Sequence, residues 1–64
     1  AWRDFGQPLR TAREHFERDY LEFHLLQTRG NISELARRAE LERTHLYRKL
    51  KGLGLNPKDE KYRQ

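Results

Sequence analysis

Arg43, Thr44, His45, Tyr47, Arg48 and Lys49 fall within seven consecutive positions and together offer the groups that a duplex groove requires. A guanidinium fork can donate to both O6 and N7 of guanine, hydroxyl and imidazole groups reach base edges or phosphate, and an ammonium suits a phosphate oxygen. Leu46 and Leu50, four residues apart, give this stretch the apolar spacing of a helix, with the polar set opposite them. Upstream, Asn31 stands where it can cap a helix with Glu34 at the third helical position, a capping-box arrangement. Leu35, Ala36 and Ala39 then share one face, and the small Ala36 permits a close helix crossing. A short break at Glu40-Leu41-Glu42 separates the two helices. The stretch NISELARRAELERTHLYRKLK, residues 31 to 51, therefore predicts a helix-turn-helix followed by a cationic face, with double-stranded DNA as its partner.

The charge sits where that partner needs it. The net charge is +4, but residues 1 to 28 carry four arginines against five acids. Residues 29 to 51 carry five arginines and two lysines against three glutamates, a local +4, and the segment from 52 onward adds +1. Coincidence of the basic stretch with the motif favours phosphate binding with counterion release over a merely solvated face.

The elements that hold this stretch are limited by length. Sixty-four residues make one small domain that buries little surface, and 34% hydrophobic against 38% charged content makes a partner subunit an expected source of stability. Residues 1 to 7 read as a linker remnant, 8 to 55 as the domain and 56 to 64 as a frayed polar tail. Pro8 suits the first turn of a helix that runs from about Leu9 to Thr28, with Gly30 as its left-handed cap. On that helix Leu9, Phe16 and Phe23 recur every seven residues with Ala12 and Tyr20 between them, while Leu21 and Leu25 point elsewhere. Two apolar stripes need two neighbours, so the Leu9, Ala12, Phe16, Tyr20 and Phe23 stripe is expected to pair with a second copy. Arg13 is expected to pair with Glu17, and Arg18 with Glu14 or Glu22, at four-residue spacing. Gly52, Gly54 and Asn56-Pro57 close the helical part.

Other chemistries fit poorly. Cysteine is absent, which removes disulfides and thiolate metal sites and suits a reducing cytoplasm. His15, His24 and His45 form no ligand spacing, and Glu42-x-x-His45 lacks the second copy and further glutamates that a carboxylate-bridged metal site needs. There is no glycine-rich phosphate loop and no nucleophile with a paired base, so neither an enzyme nor a cofactor is expected. No apolar run approaches a membrane span or a signal-peptide core, so no membrane partner is expected. Phe16, Tyr20 and Phe23 have the spacing of a packed stripe rather than of a platform for single strands. The competing reading is a helical dimerisation module that never touches DNA, which accounts for the stripes but not for the basic stretch.

The segments PLRTAREHFERDYL, GNISELARRAEL and ERTHLYRKLKGLGL resemble the C-terminal DNA-binding domain of sigma-54-dependent activators of the NtrC and NtrX kind, and the related nucleoid protein Fis. The resemblance spans about residues 8 to 55. It implies an all-α domain of about four helices that forms a homodimer through long N-terminal helices and places one helix-turn-helix per subunit in successive major grooves. It places Asn31 and Ser33 at phosphate, Arg43 at the principal base-reading position, Thr44 and His45 beside it, and Arg48 and Lys49 on the backbone or a neighbouring base. Tyr47 is left with either packing beside Leu50 or a phosphate contact through its hydroxyl. Full-length members add an ATPase and a receiver domain, so the resemblance implies an excised domain or a short protein of the Fis kind, and for a larger parent a partnership with sigma-54 RNA polymerase. Two positions depart from the pattern: Glu40 stands where glycine is usual in the turn, and Glu42 where a Ser or Asn cap is common.

Overall fold

A computed structural model describes residues 4–63. Three α-helices follow one another, α1 over Leu9–Thr28, α2 over Ile32–Ala39 and α3 over Arg43–Gly52, and a single 3-10 turn occupies Glu60–Tyr62. The expected fourth helix is thus only this turn. The fold is all-helical, and α2 and α3 form a helix-turn-helix.

The same device ends all three helices. After α1, Arg29 takes the left-handed conformation (φ 55°), the Gly30 N–H bonds the Leu25 carbonyl at 2.9 Å and the Arg29 N–H bonds that of Leu26 at 3.3 Å. After α2, Glu40 is left-handed (φ 54°), with Leu41 N–H to Ala36 at 3.0 Å and Glu40 N–H to Arg37 at 3.3 Å. Past α3, Gly54 is left-handed (φ 74°), with Leu55 N–H to Leu50 at 2.9 Å. These are Schellman closures, in which carbonyls left over at a helix end are satisfied by the turning chain. The left-handed cap after α1 is Arg29 rather than Gly30, although Gly30 also has positive φ (77°). At Glu40 the turn keeps the usual helix-turn-helix shape and carries the cost of a side chain in a left-handed residue.

Asn31 caps α2 as expected, accepting from the Glu34 N–H at 3.1 Å. The reciprocal half of the capping box does not form. The Glu34 carboxylate accepts from Arg37 at 2.6 Å and Arg38 at 3.3 Å, and the Asn31 N–H is already bonded to the Thr28 carbonyl at 3.1 Å.

The core gathers Leu21 and Leu25 of α1, Ile32, Leu35 and Ala36 of α2, Leu46 and Leu50 of α3, then Leu55 and Tyr62. Tyr20, Leu41 and Leu53 pack against it. Only the C-terminal half of α1 reaches this core. Its other half extends outward, giving the chain an elongated 34 × 24 × 19 Å shape. Of the stripe expected to pair, Tyr20 packs against the core and Ala12 is half-buried, while Leu9, Phe16 and Phe23 stay 77%, 50% and 56% exposed, with Leu26 a further exposed apolar group.

The end of the chain corrects the expectation of a frayed tail. Tyr62 is 1% exposed, and its hydroxyl donates to Glu22 of α1 at 3.1 Å, where Lys61 also binds at 2.9 Å. Pro57 crosses the joint between α1 and α2 so closely that a Cβ on Gly30 would run into the Pro57 carbonyl oxygen. Glycine is needed there both for its φ and for that approach. At the other end, residues 1–3 of the expected linker lie outside the described residues. Asp4 is buried, bonds His15 of α1 at 3.0 Å and begins a turn closed by Gln7 N–H to its carbonyl at 3.0 Å.

The side-chain bonds of Glu17, Arg18 and Glu22 run to distant segments rather than at the expected four-residue spacing, although the Arg18 charge still helps to lower the Glu22 pKa. Glu17 takes Lys49 of α3, Glu22 takes Lys61, and the Arg18 guanidinium donates to the Leu53 carbonyl beyond α3. Each tethers α1 to a distant segment, which helix surface spacing does not reveal.

Candidate nucleic-acid interface

Burial of Leu46 and Leu50 decides which way α3 turns its remaining side chains. With 100° between successive residues, Thr44 and Arg48 point most directly outward, flanked by His45 on one side and Lys51 on the other. Arg43 and Tyr47 lie on the Lys51 side and remain exposed. Arg43 opens the helix, following Glu42, whose extended backbone starts α3 and whose side chain makes no capping bond. Asn31 and Ser33 are exposed at the start of α2.

Of the residues expected at DNA, Asn31, Ser33, Arg43, Thr44, His45, Tyr47 and Arg48 are thus all exposed on the helix-turn-helix. Lys49 is placed differently. It turns toward α1, where its ammonium sits 3.0 and 3.1 Å from the two carboxylate oxygens of Glu17, and both side chains are largely covered. Leaving that pair for a phosphate would strand a partly buried carboxylate. Lys51, which the sequence reading passed over, occupies the outward side instead. Its four-residue spacing from Tyr47 and eight from Arg43 was the available signal.

A cleft of about 330 Å³ opens beside Arg43 and Tyr47. It is lined also by Asn31 and Ser33 from the start of α2, Arg29 from the end of α1, and Lys58 and Arg63 from the C-terminal segment. No acid lines it among the described residues. Two acids elsewhere are neutralised locally. The Arg37 and then the Arg38 guanidinium hold the Glu34 carboxyl below the usual carboxylate range, and the Lys61 ammonium followed by the Tyr62 hydroxyl does the same for Glu22. Burial, followed by the bond to Glu22, pushes the Tyr62 phenol up. Among the described residues no three His, Cys, Asp or Glu side chains are grouped to hold a metal, and no helix is long and apolar enough to cross a membrane.

This geometry agrees with what the chain is similar to. Residues 12–56 match the family described as bacterial regulatory protein, Fis family. The chain is 52% identical over 50 residues to the nitrogen assimilation regulatory protein NtrX of Azorhizobium caulinodans, covering 78% of this chain and 11% of that protein. It is 47% and 45% identical over 51 residues to putative NtrX-like response regulators of Rickettsia felis and Rickettsia conorii, covering 80% of this chain and 11% of each. It therefore spans about a tenth of the length of these relatives. No solved structure matches it. The chain belongs to the Fis family of bacterial regulatory proteins, and it is a DNA-binding helix-turn-helix domain of a regulator.

Proposed function

We propose that this member of the Fis family binds double-stranded DNA sequence-specifically as a homodimer, as the DNA-binding domain of a sigma-54-dependent transcription regulator. The observation that carries the reading is the pairing of two uncovered faces. The outward side of α3 with the start of α2 presents cations and hydrogen-bonding groups, while α1 separately presents an apolar stripe. Arg43, in the first turn of α3, is the base reader: a helix entering the major groove by its N-terminal end brings that residue closest to guanine O6 and N7. Thr44, His45 and Arg48 contact neighbouring bases or backbone. Asn31 and Ser33 hold phosphate at the first helix, Tyr47 offers its hydroxyl to the backbone, and Lys51 replaces Lys49 as the second cation of this face.

The homodimer forms through Leu9, Ala12, Phe16, Tyr20 and Phe23. Covering what is still exposed of Leu9, Phe16 and Phe23 would contribute roughly 1–2 kcal/mol each, which is large beside the stability of so small a domain. A recess of about 220 Å³ lined in part by Phe16, Tyr20, Leu21, Ala39 and Leu41 opens beside the stripe and can receive side chains of the second copy. Two helix-turn-helix units held by such a seam read two half-sites. The partnership with sigma-54 RNA polymerase belongs to a longer parent protein.

Selection of bound sites from random duplex tests this reading. It predicts an inverted repeat whose half-site centres are one helical turn or a multiple apart. A single unrepeated motif, or no enrichment with duplex still bound, would contradict sequence-specific binding by a dimer. Failure to retain any duplex would leave the dimerisation module alone.

A further inference from the structure

We infer that the C-terminal segment is a second grip on the DNA backbone, with Lys58 and Arg63 each closing on a phosphate beside the start of α2. The inference rests on the DNA-binding reading above and goes beyond it, because the family match ends at residue 56 and these two residues lie after it. Four cations from separate parts of the chain meet at one cleft: Arg29 after α1, Arg43 at the head of α3, and Lys58 and Arg63 from the final segment. Among the described residues none of the four side chains is held in an ion pair, whereas Lys49 and Lys61 each have a carboxylate. Gathering like charges in a cleft that no acid lines is unfavourable unless an anion is to be bound there.

The segment holding Lys58 and Arg63 is fixed rather than loose. Tyr62 is buried and bonded to Glu22, and Pro57 rests against Gly30. Asn56 accepts from the Lys58 N–H at 3.0 Å, and the Arg63 N–H bonds the Glu60 carbonyl at 2.9 Å. Their side chains therefore start from an ordered backbone, and binding need not pay the ordering cost of a free basic tail. The cleft runs on from Asn31, Ser33, Arg43 and Tyr47, so a strand whose bases meet α3 continues past Lys58 and Arg63. The ligand is the duplex backbone, and the contact is indifferent to sequence.

The test compares the full chain with Lys58→Ala/Arg63→Ala and with a charge-matched control, Arg10→Ala/Arg13→Ala, which removes two cations from the far end of α1. Binding to a selected and to a scrambled duplex is followed by fluorescence anisotropy over a salt series. Each lost phosphate contact lowers the slope of log K against log salt by about 0.9, so the cleft variant should lose about 1.8 per subunit. Extrapolated from a 1 M reference, that is about 30-fold in affinity per half-site at about 0.15 M salt, equal on both duplexes. The control should keep the parent's slope. Parent binding with an unchanged slope in the cleft variant, or an equal loss in the control, overturns the grip alone. A parent that retains no duplex at low salt overturns the DNA-binding reading and the grip with it.

Discussion

Replacing Tyr62 by alanine should remove a large share of this domain's stability, although the residue lies beyond the helix-turn-helix and two positions from the end of the chain. At roughly 0.05–0.15 kcal/mol per residue, 64 residues supply about 3–10 kcal/mol of stability in all. Tyr62 is 1% exposed and stands in the core with Leu21, Leu25, Ile32 and Leu55. Truncating a buried aromatic costs about 3–5 kcal/mol through lost transfer energy and the cavity left behind. The two figures are comparable, so the folded fraction should fall sharply. Tyr62→Phe is the finer probe. It keeps the ring and removes only the 3.1 Å bond to Glu22, which retains Lys61. With Glu22 about a third exposed, the cost should lie near 1 kcal/mol, or about 4–8 °C in Tm for a domain of this size. Urea unfolding followed by circular dichroism at one fixed protein concentration measures both variants, the concentration being held because dimerisation shifts apparent stability. If Tyr62→Ala stays within about 0.5 kcal/mol of the parent, the segment is not part of the core and the reasoning fails.

Arg43→Ala should cost roughly 1–3 kcal/mol per half-site on a selected duplex and relax preference at one base pair; an equal loss on scrambled duplex would mean that Arg43 holds backbone instead. Lys49→Ala should leave the salt dependence of DNA binding unchanged and cost about 1–3 kcal/mol of stability, since it leaves the partly covered Glu17 without its partner; a drop of about one in the slope per subunit would show that it leaves Glu17 for phosphate. Glu40→Gly should stabilise by about 0.5–1 kcal/mol, the left-handed strain relieved less the extra chain entropy of glycine; a lower urea midpoint would show that the Glu40 side chain contributes something the turn geometry does not reveal. Docking of the final segment should depend on pH at both ends. Glu22 has a depressed pKa in the folded chain, so its contribution is present above the ordinary carboxylate range and is lost as pH falls through the lowered value. Tyr62 has a raised pKa, so its contribution is present below the ordinary phenol value and is lost as pH rises through the raised one. The urea midpoint against pH should keep its acid limb and have a smaller alkaline limb in Tyr62→Phe, the remainder coming from Lys61, whose pKa the bond to Glu22 raises, and an unchanged alkaline limb would contradict the assignment.

The parts of the fold that were legible in the sequence are those set by short-range periodicity and stop signals. The extent of α1, the break at Glu40-Leu41-Glu42, the buried Leu46 and Leu50, and the split of α1 between a Leu21/Leu25 side and a Leu9/Phe16/Phe23 side all follow from helical spacing. Exposure of Thr44, His45 and Arg48 follows from the same spacing, because fixing Leu46 and Leu50 inward fixes the opposite side outward, whereas Arg43, three residues before Leu46, shares their side and is exposed because it opens the helix. What was not legible depends on segments far apart in the chain. Glu17 and Lys49 are 32 positions apart, and Glu22 and Tyr62 are 40. Nothing in KDEKYRQ has a period, so its one aromatic residue gave no sign of being core. Arg29 as the left-handed cap was hidden by Gly30 beside it, the residue type that usually takes that conformation.

The central claim is that α3, with the start of α2, is the DNA-contacting surface, and residue-resolved amide shifts on titration with duplex DNA at low salt test it most directly. The account predicts perturbations concentrated at Asn31 to Glu34 and Arg43 to Lys51, with further ones at Lys58 and Arg63 if the final segment grips the backbone, and with the Leu9 to Phe23 stripe of α1 unaffected. Perturbations confined to α1, or none at all, would contradict it.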